Sequence, residues 1–109
     1  MPTSLSLDTT RRDDGKLVLI ATGEIDLSNV DAFNKALTAA SSEAGGGGGG
    51  KVTVDLSAVD YLDSAAINVL FARADDIRLV AQPLLMSLLH ISGLSELVAV
   101  EPAAPASEG

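Results

Sequence analysis

Polar and apolar positions alternate at the start of the chain, where Leu5 and Leu7 stand between polar neighbours. A turn-forming segment, Arg11 to Gly15, follows, and Lys16 to Thr22 then carries the unbroken apolar run Leu17-Val18-Leu19-Ile20-Ala21. Period-2 alternation followed by a continuous apolar stretch predicts a hairpin whose second strand is buried on both faces. Beyond Gly23 the period lengthens. Val30, Phe33, Leu37 and Ala40 recur at helical spacing, with Ser28 at the start and Asp31 three residues on, an imperfect capping box. A helix of about four turns follows from that spacing. Six consecutive glycines, Gly45 to Gly50, are expected to end this helix and form a flexible connector.

Alternation resumes over Lys51 to Leu56, predicting a strand, and Ser57 to Ser64 reads as a loop. Ser64 opens a second helical pattern with Ile67, Leu70, Phe71 and Ala74 on one face. Ile77 to Ala81 is a short apolar run. Pro83, favoured at the first helical position, starts a helix carrying Leu84, Leu85, Leu88, Leu89 and Ile91 that stops at Gly93. Leu97 to Val100 reads as a last strand. After the hairpin each strand is followed by a helix, so parallel pairing is expected, with any ligand or partner met at the carboxyl ends of the strands. There the segments Gly23 to Ser28 and Ser57 to Ser64 should converge.

The chain has 109 residues, which allows one core and one domain. Apolar residues make up 47% and charged residues 20% of it, and the mean hydropathy is +0.32, a globular balance. Aromatic residues are only 3%, so Leu, Val, Ile and Ala must build the core, and base-stacking platforms are lacking. A net charge of −8 argues against a nucleic-acid backbone or an anionic membrane as ligand and favours a protein partner. The absence of Cys rules out disulfides and thiolate metal sites and suits a reducing compartment, so the cytoplasm is expected. No signal peptide or membrane span is read from residues 1–20, and no apolar run is long enough to cross a bilayer.

Several residues bear on chemistry. Gly45 to Lys51 fits G-x-x-x-x-G-K, but Val52 stands where a phosphate loop needs Ser or Thr. The segment also leaves a helix and enters a strand, the reverse of what a phosphate loop requires. His90, the single histidine, lies late in a Leu-rich helix, where it complements the helix dipole. No G-x-S-x-G elbow surrounds any serine, so a hydrolase is not indicated. Asp55, Asp60 and Asp63, with Glu24 and Asp26, gather where strands end. They offer oxygens to a divalent cation or an acid–base pair, or they cap turns and form an acidic docking rim. The rim is preferred, because a lone metal site needs further fixed oxygens. Ser64 is read as the helix N-cap, worth about 1 kcal/mol. A phosphate on its hydroxyl would meet the positive helix end and add about −1.5 to −2 charges to an acidic rim without unfolding the chain.

Four segments, Gly23-Glu24-Ile25-Asp26-Leu27, Val54-Asp55-Leu56-Ser57, Tyr61-Leu62-Asp63-Ser64-Ala65-Ala66-Ile67 and Ile91-Ser92-Gly93-Leu94, resemble in order the bacterial anti-sigma factor antagonists of the STAS-domain family. The resemblance implies an α/β single-domain STAS-like fold over residues 1–101, a mixed sheet of four to five strands with helices mainly on one face, and a disordered tail at 102–109. It implies a binding switch, not an enzyme, that needs no cofactor or metal. Its partner would be an anti-sigma factor with kinase activity, which supplies ATP; neither nucleic acid nor membrane is involved. The unphosphorylated antagonist would dock, and phosphorylation of Ser64 would release it. Glu24, Asp26, Asp60, Asp63, Ser64, Ala65 and Ala66 would form the docking surface. Similar small domains also serve as cytosolic STAS subunits of lipid or anion transporters, the alternative role.

Three departures from the family pattern are visible. Ala66 stands where the family usually has Gly, adding a methyl expected where a kinase must approach closely. Asp75-Asp76 is a shorter link than the usual glycine-containing turn, which implies a truncated second helix. The hexaglycine run is an insertion on a connector, where added length is tolerated.

Overall fold

The computed structural model describes residues 4–11, 16–46 and 51–102. Residues 47–50 of the expected glycine connector and 103–109 of the expected tail lie outside the described residues. The chain forms strand β1 (Leu5–Arg11), strand β2 (Leu17–Ile25), helix α1 (Val30–Gly46), strand β3 (Val52–Leu62), helix α2 (Ser64–Ala72), strand β4 (Ile77–Ala81), helix α3 (Pro83–Ile91) and strand β5 (Val100–Pro102). Short 3₁₀ turns at Ala74–Asp76 and Leu94–Glu96 complete it.

The five strands lie in the sheet in chain order, with β1 antiparallel to β2 and the remaining pairs parallel. Each crossover from β2 onward therefore steps one strand in the same direction. Right-handed crossovers of that kind place all three helices on one face. Phe33, Leu37 and Ala40 of α1, Ala66, Ile67 and Leu70 of α2, and Leu85 and Leu89 of α3 accordingly share one buried cluster with Leu19, Val54, Leu56 and Leu79 of the sheet. The expected mixed sheet with one-sided helices is what forms. The fully buried Phe33 is the largest side chain of a core otherwise built from aliphatic groups.

Four boundaries differ from the pattern-based expectation, each for a physical reason. α1 begins at Val30, not Ser28, because Ser28 turns back so that both its N–H and its hydroxyl donate to Asp26 Oδ1, at 2.9 and 2.5 Å. α1 also continues two residues into the glycine run, to Gly46. β3 runs on to Leu62, where a loop was expected. Its offset from β2 grows from 35 at Ile20↔Asp55 to 36 at Thr22↔Ala58 and 37 at Glu24↔Tyr61, so two bulges each insert one residue. Buried positions then fall at Leu56, Val59 and Leu62, a spacing of three that no alternation rule detects. Finally, Gly93 adopts a left-handed conformation (φ +85°) and starts the turn Leu94–Glu96. The Val98 N–H donates to Leu94 O at 3.0 Å and both side chains enter the core, so the last strand begins at Val100 and not at Leu97.

Gly23 is the one residue in β2 that must lack a side chain. Its φ of +112° lies in glycine territory, and a Cβ there would collide with the Ser4 carbonyl oxygen, the acceptor of the Glu24 N–H at 3.0 Å. Gly23→Ala is expected to lower unfolding stability by about 1–3 kcal/mol, through backbone strain and loss of the close β1–β2 approach. Urea denaturation followed by circular dichroism, with the slope unchanged and the midpoint lowered, checks this.

Candidate functional site

The carboxyl ends of β2 and β3 and the N-terminus of α2 meet at Asp63. Tyr61 pairs with Glu24 and Leu62 with Ile25, and the Asp63 N–H donates to Ile25 O at 3.1 Å. The segments Gly23 to Ser28 and Ser57 to Ser64 thus converge as expected. Asp63, in extended conformation (φ −97°, ψ −176°), is the N-cap of α2. Its Oδ1 accepts from the Ala66 N–H at 3.1 Å and its Oδ2 from the Leu27 N–H at 3.0 Å. The expectation that Ser64 caps the helix is therefore corrected. Ser64 is the first helical residue, and the two oxygens of the Asp63 carboxylate serve a helix N–H and a loop N–H together.

With the cap supplied by its neighbour, the Ser64 side chain is exposed to solvent. Ala65 beside it is half-buried. Ala66 is fully buried, so its methyl packs into the core and does not face an approaching protein, contrary to the expectation from the family glycine. Glu24 and Asp60 are exposed, and Asp26 is half-buried. All the residues singled out for docking therefore belong to one end of the sheet, with Ala66 behind the surface and the others on it.

The loop 24–29 is wired by Asn29. Asn29 Oδ1 accepts from the Asp26 N–H at 3.0 Å, and Asn29 Nδ2 donates to Glu24 O at 2.9 Å. Asp26 Oδ1 takes both donors of Ser28. Similarly, Asp55 Oδ1 accepts from the N–H and the hydroxyl of Ser57, at 2.9 and 2.6 Å. The carboxylates thus satisfy turn and cap donors. Among the described residues no three acidic or imidazole groups come together as a cation site. Gln82, the N-cap of α3, donates through Nε2 to Val59 O at 2.5 Å and lies 3.4 Å from Asp60 Oδ1, which ties α3 to the bulged end of β3. His90 sits on the last turn of α3, with Nδ1 3.2 Å from Ser95 Oγ.

The apolar residues of this end escaped the sequence reading. Leu27 is 77% exposed, Tyr61 49% and Leu84 70%. Leu27 stands between two turn-forming residues, outside both the strand alternation and the helix period, which was the available signal. Its position is fixed because its own N–H is bound by Asp63. Large apolar side chains held in place among acidic groups make a surface suited to protein contact.

A small α/β domain whose strand ends carry a rigid acidic and apolar surface, with an exposed serine opening a helix, has the build of a docking module. A family model described as Mlab, STAS domain, matches residues 9–99, and the chain belongs to the STAS-domain family. An anti-sigma factor antagonist from Mycobacterium paratuberculosis is similar in structure, with a TM-score of 0.80 and 25% identity over 92% of this chain and 87% of that one. The anti-sigma factor antagonist SpoIIAA in its unphosphorylated form has a TM-score of 0.66 at 16% identity, covering 93% and 89%. The STAS domain of an antisigma-factor antagonist from Rhodobacter sphaeroides gives 0.52 at 17% identity, covering 71% and 84%. The latter two share the fold. No curated protein matches significantly. Among the described residues no helix is long and apolar enough to cross a membrane.

The division of labour between Asp63 and Ser64 is testable by stability alone. Asp63→Ala is expected to cost about 1–2 kcal/mol and to speed amide exchange at Leu27 and Ala66, since both N–H groups lose their acceptor. Ser64→Ala should stay within about 0.5 kcal/mol of the parent. Equal losses in the two variants would return the cap to Ser64.

Proposed function

We propose that the chain is an anti-sigma factor antagonist: it docks an anti-sigma factor through the surface formed by Glu24, Asp26, Asp60, Asp63, Ser64 and Ala65, with Leu27, Tyr61 and Leu84 as apolar anchors and Ala66 as the packing residue behind them. The observation that carries this reading is the exposed Ser64 at the start of α2, released from capping by Asp63. The partner has kinase activity and brings the ATP. The Ser64 oxygen attacks the γ-phosphorus, its proton is given up, and ADP leaves. The chain itself is the substrate, not the catalyst, and works in the cytoplasm.

Release follows from charge and solvation. The phosphate adds about −1.5 to −2 charges beside Asp63, Asp60 and Asp26, and a partner surface that accepted a hydroxyl must now desolvate a dianion. The α2 N-terminus offers that phosphate backbone N–H groups and a favourable dipole, so the modified chain keeps its fold. Docking is thereby switched without unfolding.

Ser64→Ala is expected to bind the anti-sigma partner at least as tightly as the parent and to remain bound in the presence of ATP. Ser64→Asp should bind at least about tenfold more weakly, as like-charge placement at an interface costs more than 1 kcal/mol. Capture from the native host, phosphosite mapping and calorimetry of the two variants decide it. Unchanged affinity in both variants sinks the switch, phosphate on Ser57 or Ser92 moves the site, and recovery of a membrane ATPase assigns the chain to a transporter.

A further inference from the structure

Between Arg78 and Glu96 the sequence holds no Asp, Glu, Lys or Arg, although charged residues make up 20% of the chain and its net charge is −8. Helix α3 lies inside that stretch, so its outer face carries no carboxylate, ammonium or guanidinium group. Much of that face is apolar. Ile91 is 84% exposed, Met86 is half-buried with part of its side chain against the core, and Ser87 and His90 are exposed beside them. Met86 and His90 form one row at i, i+4 spacing and Ser87 and Ile91 the next, and the two rows enclose a shallow groove of about 320 Å³. Ser95 Oγ, 3.2 Å from His90 Nδ1, steadies one rim.

A groove flanked by a projecting row on the same helix is complementary to itself. About a two-fold axis, the row of Ser87 and Ile91 from each copy enters the groove of the other, with Ser87 opposite Ile91, and the helices cross at about −50°. Charge selects the same occupant. Two copies of a chain with a net charge of −8 repel wherever their acidic surfaces approach, and α3 is a face on which they meet without bringing like charges together. A basic partner finds no counter-charge on α3 and is drawn instead to the carboxylates at the strand ends. Leu84 belongs to the next row, with Leu88, on the far side of Ile91 from the groove, so it stays with the docking surface.

We propose that this face of α3 joins two copies of the chain in a weak, reversible homodimer, with Ile91 of each seated in the groove that Met86 and His90 bound on the other. The contact of one nine-residue helix falls well short of the roughly 800 Å² per partner of a standard interface, so a Kd on the order of 100 µM is expected. The dimer needs neither Ser64 nor its modification and stands independently of the docking role.

Sedimentation velocity of the full chain, from about 10 µM to about 1 mM, tests it across that Kd. A monomer–dimer equilibrium is expected that tightens as sodium chloride is raised, because screening removes the repulsion between acidic copies and leaves the apolar contact. Ile91→Lys should stay monomeric throughout with an unchanged thermal midpoint, since the side chain is exposed. The lysine lowers the net negative charge, so the loss does not come from added repulsion. Ser87→Lys, on the same row, should behave alike. A parent chain that is monomeric at every concentration overturns the dimer, and so does association that survives Ile91→Lys. Association lost in Leu27→Lys instead would place the contact on the docking surface and overturn it equally. Association that weakens with salt would mark the acidic strand ends of one copy meeting Lys16, Lys51 and Arg78 of another, and would also overturn it.

Discussion

The Asp63 carboxylate joins two stretches of chain that nothing else holds in the same way. One oxygen takes the Ala66 N–H at the head of α2 and the other takes the Leu27 N–H in the loop after β2, while the Asp63 backbone donates to Ile25 O and accepts from the Ile67 N–H at 3.0 Å. Four hydrogen bonds from one residue thus set the end of β2, the loop and the helix start relative to one another. Such a junction requires Asp63 to arrive beside the end of β2, and the two bulges of β3 bring it there. With an offset of 37 at Ile25↔Leu62, the residue after the pair is Asp63 on one strand and Asp26 on the other. Unbulged pairing would carry Asp63 two residues past that point, out of reach of the Leu27 N–H.

The parallel order of β2 to β5 gives this junction its electrical setting. Helices that follow parallel strands all begin at the strands' carboxyl ends, so α1, α2 and α3 direct their N-termini to the same edge. Glu24, Asp26, Asp60 and Asp63 are tolerated together there because the partial positive charge of three helix starts lies beneath them, and because Asp26 and Asp63 are further neutralised by the N–H groups they accept. At the other edge Lys16, Lys51 and Arg78 lie at or next to the first residues of β2, β3 and β4.

Periodicity was enough to read the hairpin, the three helices and β4, because in each the buried positions repeat at 2.0 or 3.6 residues or run unbroken. It failed on the second half of β3, where bulges turn the repeat into three, and on Val98, whose burial comes from a 3₁₀ turn. The site was legible as a constellation and not as a set of bonds. Asp and Ser are nearly equal in capping preference, so local propensity cannot separate Asp63 from Ser64. A tertiary partner, the Leu27 N–H, makes the choice. Asn29 gave no sign of its role in the hydrophobic pattern, since its partners are backbone groups three and five residues back in the same loop.

The consequence for Ala66 is the reverse of what its chemical identity suggests. A glycine in the first turn of a helix leaves the backbone free and unfills whatever lies beneath it, whereas the Ala66 methyl is wholly buried alongside Ile67 and Leu70. Its N–H is the one held by Asp63 Oδ1. The methyl anchors the helix start from inside while the carboxylate anchors it from outside, and Ser64, two residues earlier, projects from a turn fixed on both sides. The backbone that carries the exposed Ser64 is thus already ordered in the folded chain. The entropy of ordering that turn is spent in folding and not in binding.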